Sequence, residues 1–346
     1  MDKLTTIRDL AEQTGYGKST VSLALRDDPR LALATRRRIQ RAALEAGYRH
    51  NPVVAHLMAQ LSKSREQTYK ATLALINSTS DPNALEGCGA LRAWVDSSEK
   101  RARELGYRMD RFWLQEPGLT AAALSRVFRA RNITGLLIIN RHDVIRLPKN
   151  FDPLWKSYSS IVVGNRITEP SLNYVCNDQY HTTLNTVKRL VSLGYQKPGL
   201  VMCEDLDRNV EYKFSAGYQK GFDLYCKGSA IPVIEPGKKN IALFDRWQKN
   251  YKPDVVIAIN PFPIQWAKQL RRKINLVSID RNPFMMKWPG MDQNNEMIGS
   301  VAVEQLIGQI HRNEVGLPMV AKCVLIQSTW QGDAKEMREM RHNSEK

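Results

Sequence analysis

The 346-residue sequence predicts an all-α helix-turn-helix headpiece at the amino terminus, followed by an α/β core of two doubly wound parallel-sheet lobes. Three observations predict it. The first fifty residues repeat apolar side chains at helical spacing around a glycine turn. From residue 70 onward, short unbroken apolar runs alternate with amphipathic stretches, the pattern of parallel strands covered on both faces. These β-α units are too many for one comfortable domain.

Ile7, Leu10 and Ala11 mark one face of a first helix, with Thr5 or Thr6 as its N-cap. Gly15 follows, able to take the positive φ that ends a helix and turns the chain. A second helix begins near Gly17 or Lys18, with Val21 and Leu25 inward. A third runs from about Thr35 to Ala46 and ends at Gly47. It buries Ile39, Ala42, Ala43 and Ala46, while Arg36, Arg37, Arg38 and Arg41 crowd its start and outer side. The stretch Gly17-Lys18-Ser19-Thr20 copies the end of a nucleotide-binding P-loop. The position that needs the motif's other glycine holds Glu12, and a helix rather than a strand leads into it, so that reading fails.

Charge points to the partner. The formal net charge is +16, and residues 1–65 hold twelve Lys or Arg against six Asp or Glu. A polyanion is implied, nucleic acid before an anionic membrane surface. The outward face of the second helix carries Lys18, Ser19, Ser22 and Leu23. Lysine donates to guanine, serine pairs with several base edges, and leucine covers a thymine methyl. A helical bundle that binds another protein is the plainer alternative, and the basic surface and the outward leucine weigh against it. Beyond Tyr48, Asn51 as N-cap and Pro52 at the first helical position propose a short helix through about Gln60. The basic "SKSR" after it reads as a linker. Leu57 fits two roles equally, a wedge in the minor groove or an anchor on the larger domain.

In the core, strands are expected at 72–78, 134–140, 160–165, 198–203, 253–260 and 274–280. Helices are expected at 87–106, 120–132, 179–194, 209–226, 263–271 and 296–312, with a break between lobes at 165–173. Ligands of such folds sit beyond the carboxyl ends of the strands, here in the cleft. Asn77, Asn140, Asn165, Asp178, Asn260 and Asp280 stand at those ends. One such residue is ordinarily a turn residue, but six make a polar-lined cleft, with part of them serving their own loops.

Chemistry beyond binding finds no support. Gly87 to Leu91 lacks the third glycine of a dinucleotide fingerprint, and neither a Gly-x-Ser-x-Gly elbow nor a clustered histidine base occurs. The six histidines and five scattered cysteines (Cys88, Cys176, Cys203, Cys226, Cys323) show no metal-ligand spacing, and the thiols are expected to be reduced. No metal, no cofactor and no catalytic residue is expected. No apolar run reaches the roughly 18 residues of a membrane span and no signal peptide opens the chain, so a cytoplasmic protein without membrane contact is expected.

The stretches "TIRDLAEQTGYGKSTVSLAL", "TRRRI" and "GYRHN", with Leu57, closely resemble the headpiece and hinge of the lactose-repressor (LacI/GalR) family of bacterial transcription regulators. The resemblance implies base-reading positions at Lys18, Ser19 and Leu23. It implies phosphate contacts at Thr6, Thr20, Ser22, Arg26, Arg30 and Thr35, and a minor-groove wedge at Leu57. Gly17 replaces the family's usual capping serine, at a cost of a few tenths of a kcal/mol. Leu23 stands where a polar or basic residue is common, so the operator cannot be copied from a relative. His50 and Val54 replace the usual proline and alanine and make the hinge helix less secure.

A looser resemblance runs on through "GLLIIN", "SLGYQKPGLVM", "SAGYQKGF", "PDVVIAIN", "INLVSID" and "GMDQNNEMIGSVAVEQLI" to "WQGD". It implies a fold like that of periplasmic sugar-binding proteins, three strands crossing between lobes, and a homodimer. Asn260 and Asp280 match pocket positions, Gln293 lies close to another, and Phe214 stands where many relatives place a sugar-clamping arginine. No leucine heptad follows Trp330 to support a tetramer. The expected division is 1–50 for the headpiece, 51–69 for hinge and linker, 70–165 with 295–326 for one lobe, and 166–294 with 327–346 for the other. The expected function is a ligand-responsive transcription regulator, a repressor, that binds a pseudo-palindromic double-stranded DNA operator. Its effector is a sugar or other metabolite in the cleft. The alternatives are a periplasmic-type binding protein, an α/β enzyme with a basic accessory domain, and a sequence-indifferent DNA binder.

Overall fold

The computed structural model describes residues 7–25, 31–46, 71–87, 89–140, 144–235, 241–282, 285–333 and 337. The expected hinge helix with Leu57, and Thr6, Arg26 and Arg30, lie outside the described residues. The chain divides into two units, Met1–Thr68 and Tyr69–Lys346.

The first unit contains α1 (Ile7–Thr14), α2 (Lys18–Leu25) and α3 (Leu33–Glu45). Leu10 of α1, Val21 and Ala24 of α2, and Ile39 and Ala43 of α3 form one buried cluster, flanked by Ala11, Tyr16, Leu25, Leu31 and Ala46. Gly15 takes φ +75° between α1 and α2, the left-handed turn expected of it. The backbone N–H of Gly15 closes onto the Ala11 carbonyl at 3.0 Å, ending α1. Gln40 of α3 donates from Nε2 to the Ala24 carbonyl at 2.9 Å, tying the third helix to the last turn of the second. The third helix starts two residues earlier than expected.

The second unit contains two sheets. The first has six parallel strands in the order β10-β5-β4-β3-β1-β2. Its strands are β1 (Ala71–Asn77), β2 (Tyr107–Trp113), β3 (Ile133–Asn140), β4 (Ser159–Gly164), β5 (Asn173–Asn177) and β10 (Cys323–Ile326). Its central strands are apolar without interruption because both faces are covered. Leu73, Leu75, Leu137 and Ile139 pack on one face, beneath α5 (Gly89–Glu104) and α13 (Asn295–His311). Ala74, Ile76, Leu136 and Ile138 pack on the other, beneath α6 (Ala121–Ala130) and α7 (Asp152–Ser157). A short helix α4 (Ala84–Gly87) precedes α5.

The second sheet has the order β11-β9-β8-β7-β6, with β6 (Pro198–Val201), β7 (Val255–Ala258), β8 (Leu276–Ser278) and β9 (Gly290–Asp292) parallel. Only β11 (Thr329–Gln331) is antiparallel. Around it lie α8 (Gln179–Ser192), α9 (Glu204–Asn209), α10 (Lys213–Tyr225), α11 (Ile241–Tyr251) and α12 (Phe262–Gln269). Tyr218, Phe222, Phe244, Trp247 and Trp266 from three of these helices pack with Leu200, Val256 and Val277 of the strands.

The chain crosses between the lobes after β5, after β9 and after β10. Strand β5 hydrogen-bonds to β4 and β10 in the first sheet, so residues 173–177 belong to the first lobe and the first crossing follows Asn177, later than the expected break at 165–173. The segment 166–172 is a loop whose Thr168 N–H returns to Ile145; its polar composition marks a turn rather than a boundary. The first and second crossings are each bonded to the third. Asn177 donates from Nδ2 to the Ile326 carbonyl (3.1 Å) and the Ser328 hydroxyl (2.8 Å). Asn294, in the left-handed region at φ +54°, donates to the Gln327 carbonyl at 2.8 Å.

Candidate inter-lobe site and DNA-reading helix

In α2, Val21 and Ala24 are buried. At about 100° per residue, positions 19 and 23 fall on the opposite side of the helix, with 18 and 22 flanking them. Leu23 is partly exposed, and the side chains of Lys18, Ser19 and Ser22 lie outside the described residues. Thr20, at the start of α2, and Thr35, in the first turn of α3, are also partly exposed. Gly17-Lys18-Ser19-Thr20 opens a helix that follows another helix, so the strand a P-loop requires is absent at this point.

In the core, the polar residues at the carboxyl ends of the strands separate by partner. Asn77 spends its amide on its own loop, donating to the Asp81 carbonyl at 2.9 Å and accepting from Thr79. Asp178 caps α8, accepting the His181 N–H at 3.1 Å and facing His181 Nδ1 at 2.9 Å, beside the first crossing. Asn260 accepts the Phe262 N–H at 3.1 Å, which starts α12. Gln293 donates from Nε2 to the Ile279 carbonyl at 2.9 Å, one residue from Asp280.

Asp280, Asn140 and Asn165 take part in a different arrangement. Asp280 follows β8 and is only 7% exposed. Its carboxylate accepts Nδ2 of Asn282 at 3.2 Å and Nδ2 of Asn295 at 3.4 Å. Asn295 begins α13, which packs on the first lobe, and its Oδ1 accepts the indole N–H of Trp94 at 2.8 Å. A chain of hydrogen bonds thus leads from the second lobe's carboxylate to an aromatic side chain of the first. Burial raises the Asp280 acid to about 6, against the opposing pull of the Asn282 and Asn295 donors and helped by the nearby charge of Asp292.

The Trp94 ring lies against Gly164 at the end of β4. A Cβ at Gly164, where φ is +100°, would stand 2.3 Å from the Asn140 carbonyl and 2.8 Å from the Trp94 ring. Asn140 is fully buried and donates to the carbonyls of Val144 (2.8 Å) and Asn165 (2.9 Å). Its Oδ1 and the Asn165 Nδ2 are buried with no partner among the described residues. Buried polar atoms without partners are rare and mark places where a water or a ligand group completes the bonding. The arrangement therefore offers a buried acid of adjustable charge, an indole ring, one unmet acceptor and one unmet donor. Those are the elements of a site for a small polar molecule.

Phe214 is elsewhere. It lies at the start of α10 and is 3% exposed, inside the second lobe's apolar cluster. Its N–H, with that of Ser215, reaches Asp207 Oδ1 at 3.2 and 3.4 Å. Asp207 is a buried carboxylate that caps α10, and burial holds its acid above the usual range despite those donors. Sequence reading missed Trp94, Asn295 and Asp207. Trp94 reads as core in an amphipathic helix, and Asn295 as an ordinary helix start. Among the described residues no group of three His, Cys, Asp or Glu is placed to hold a metal ion, and no helix is long and apolar enough to cross a membrane.

Residues 6–51 match the sequence model for "Bacterial regulatory proteins, lacI family". No curated protein matches the chain. Solved structures share its fold over nearly its full length. A complex of the transcriptional regulator CelR with cellobiose is 15% identical, covers 95% of this chain and 98% of its own, and superposes with a TM-score of 0.56. A lac repressor dimer bound to operator and the anti-inducer ONPF is 17% identical, with coverages of 95% and 98% and a TM-score of 0.53. The trehalose repressor from Escherichia coli is 16% identical, covers 75% of this chain and 99% of its own, and gives 0.56.

Proposed function

We propose that this chain, which carries at residues 6–51 the DNA-binding domain of the lacI family of bacterial regulatory proteins, is a sequence-specific transcription regulator whose DNA binding responds to a small molecule held between the two lobes. One observation supports this above the rest. A helix-turn-helix of this family and a two-lobed core whose first and second crossings are bonded to its third occur in one chain, and the core holds a buried polar site that is incompletely bonded among the described residues.

In this reading Lys18, Ser19 and Leu23 read base edges. Thr6, Thr20, Ser22, Arg26, Arg30 and Thr35 contact phosphates, and Leu57 wedges the minor groove. Two copies bind a pseudo-palindromic operator, one half-site each. Asp280 is the principal effector contact, with Asn260 and Gln293 beside it. Phe214, at the position where the resemblance puts an arginine, lies in the second lobe's apolar cluster and offers the effector no polar contact. Cellobiose and ONPF in the solved neighbours support a polyhydroxylated effector, since Asp280 and the unmet amide atoms of Asn140 and Asn165 suit hydroxyl groups. To act as a switch, the effector must favour one lobe arrangement by about 1–3 kcal/mol. The protein acts as a repressor, without turnover of its effector, in the cytoplasm.

The test is a thermal-shift screen of mono- and disaccharides and other polar metabolites against the full chain and Asp280→Ala. The reading expects a compound that raises the melting temperature of the wild type and not of the variant. Equal shifts in both proteins would move the site away from Asp280.

A further inference from the structure

The edge of the first sheet carries a pair of thiols that the cleft does not use. Strands β5 and β10 run parallel, with Cys323 beside Tyr174 and Leu325 beside Cys176. Paired residues share a face of the sheet, as do residues two apart. Cys176 and Cys323 are therefore diagonal neighbours on one face, although they are far apart in the sequence.

The two thiols, and the Tyr174 hydroxyl beside Cys323, are near enough to shift one another's acidity through hydrogen bonding. Cys176 is buried, whereas Cys323 is exposed on the edge strand. The Cys176 hydrogen bond above all, then that of Tyr174 and the positive charge of Lys213, brings the Cys323 thiol down to about 7. The same bond, with burial, pushes Cys176 well above the usual thiol range. One sulfur is thus accessible and ionisable near neutrality, and its neighbour keeps its proton and faces it. That is the division of labour between an attacking and a resolving cysteine.

We propose that Cys176 and Cys323 form a redox-modifiable pair that reacts with a peroxide and closes a disulfide between β5 and β10. The Cys323 thiolate attacks one oxygen of hydrogen peroxide; the O–O bond breaks, hydroxide leaves, and Cys323 becomes a sulfenic acid. The Cys176 sulfur attacks the sulfenic sulfur, the S–O bond breaks, and the released oxygen leaves as water with the Cys176 proton, while the hydroxide of the first step takes up the proton that Cys323 gave up on ionising. In balance, two thiols and one hydrogen peroxide yield one disulfide and two waters, with two electrons passing from sulfur to oxygen. The bond draws the sulfurs to about 2.05 Å. Because β5 leads into the first crossing and β10 into the third, it ties together two of the three segments on which the lobes turn.

The experiment uses the reduced full-length chain treated with one equivalent of hydrogen peroxide, alkylated, and mapped by mass spectrometry without reduction. A Cys176–Cys323 linked peptide, lost on dithiothreitol treatment, is expected. Cys176→Ser should stop at a sulfenic acid on Cys323, trapped by dimedone, and Cys323→Ser should leave Cys176 a free thiol. At pH 7, iodoacetamide should label Cys323 at least tenfold faster than Cys226, whose thiol burial pushes up to about 11. Linkage to another cysteine, over-oxidation of Cys323 without linkage, or equal dimedone capture at Cys323 and Cys226 would overturn the proposal. None of these readouts depends on DNA or effector binding.

Discussion

At the carboxyl ends of its strands the first lobe presents the amides of Asn77, Asn140 and Asn165 beside the helix-capping Asp178, whereas the second presents the Asn260 amide and the buried carboxyl group of Asp280. The amides donate mainly to backbone carbonyls of their own lobe. Among the described residues the Asp280 carboxyl group is held by the amide donors of Asn282 and Asn295, and the nearby charge of Asp292 is unfavourable. The first lobe's amides are thus fixed by sterics and neutral hydrogen bonds, whereas the setting of Asp280 depends on its protonation. Variants on the two sides should fail in different ways.

The largest effect is expected at Gly164. Gly164→Ala forces a Cβ into the Asn140 carbonyl and the Trp94 ring at a φ that disfavours side chains, and should cost about 3 kcal/mol or more. Urea unfolding measures it, and a loss below about 1 kcal/mol would mean that the rim yields easily.

Asp280→Asn should act in the opposite direction. The folded acid, at about 6, lies above its unfolded value of 3.8. The group therefore contributes its full stabilisation below pH 4 and loses it as pH rises through 6, leaving the carboxylate unfavourable above pH 7. Asp280→Asn removes that loss and should gain about 1–3 kcal/mol at pH 8, and little at pH 4. Urea midpoints across that range test the sign, and an equal gain at both pH values would contradict the burial argument.

Asn295→Ala breaks the bridge between the two rims. It removes a donor to the Asp280 carboxylate and the acceptor of the Trp94 indole, so the Asp280 acid should rise further and stability should fall by about 1–2 kcal/mol. Carboxyl NMR titration reads the first outcome and unfolding the second. The smallest effect belongs to Arg166→Ala. Its 3.0 Å pair with Glu211 joins the lobes, but both partners are about half exposed, so less than about 1 kcal/mol is expected.

The legibility of these regions follows the range of the forces that build them. The headpiece core of Leu10, Val21, Ile39 and Ala43 was read from spacing within three helices, because a helix repeats over four residues. All six expected core strands are present, since unbroken apolar runs buried on both faces announce themselves. Strand β2 escaped notice because "YRMDRFW" lies at the sheet's edge, with Arg108 and Arg111 exposed. Strand β5, with buried Asn173 and Asn177 at its ends, reads as a loop. The candidate inter-lobe site was half legible. Asp280, Asn140 and Asn165 stand at strand ends, where a doubly wound fold places ligands. Trp94 and Asn295 meet only after α5 and α13 pack across some two hundred residues of chain, and no local pattern encodes that meeting. Phe214 was set by resemblance at a pocket position, and its ring lies in the apolar cluster.

The central claim is that α2 reads DNA sequence on behalf of a two-fold-symmetric assembly, and selection of bound duplexes from a random pool by the full-length protein tests it most directly. The account predicts an enriched site with two-fold symmetry, bound about 10³-fold or more tightly than a scrambled duplex at physiological salt. It also predicts that Leu23→Ala relaxes the preference at one position in each half-site. Equal affinity for selected and scrambled duplexes would contradict it.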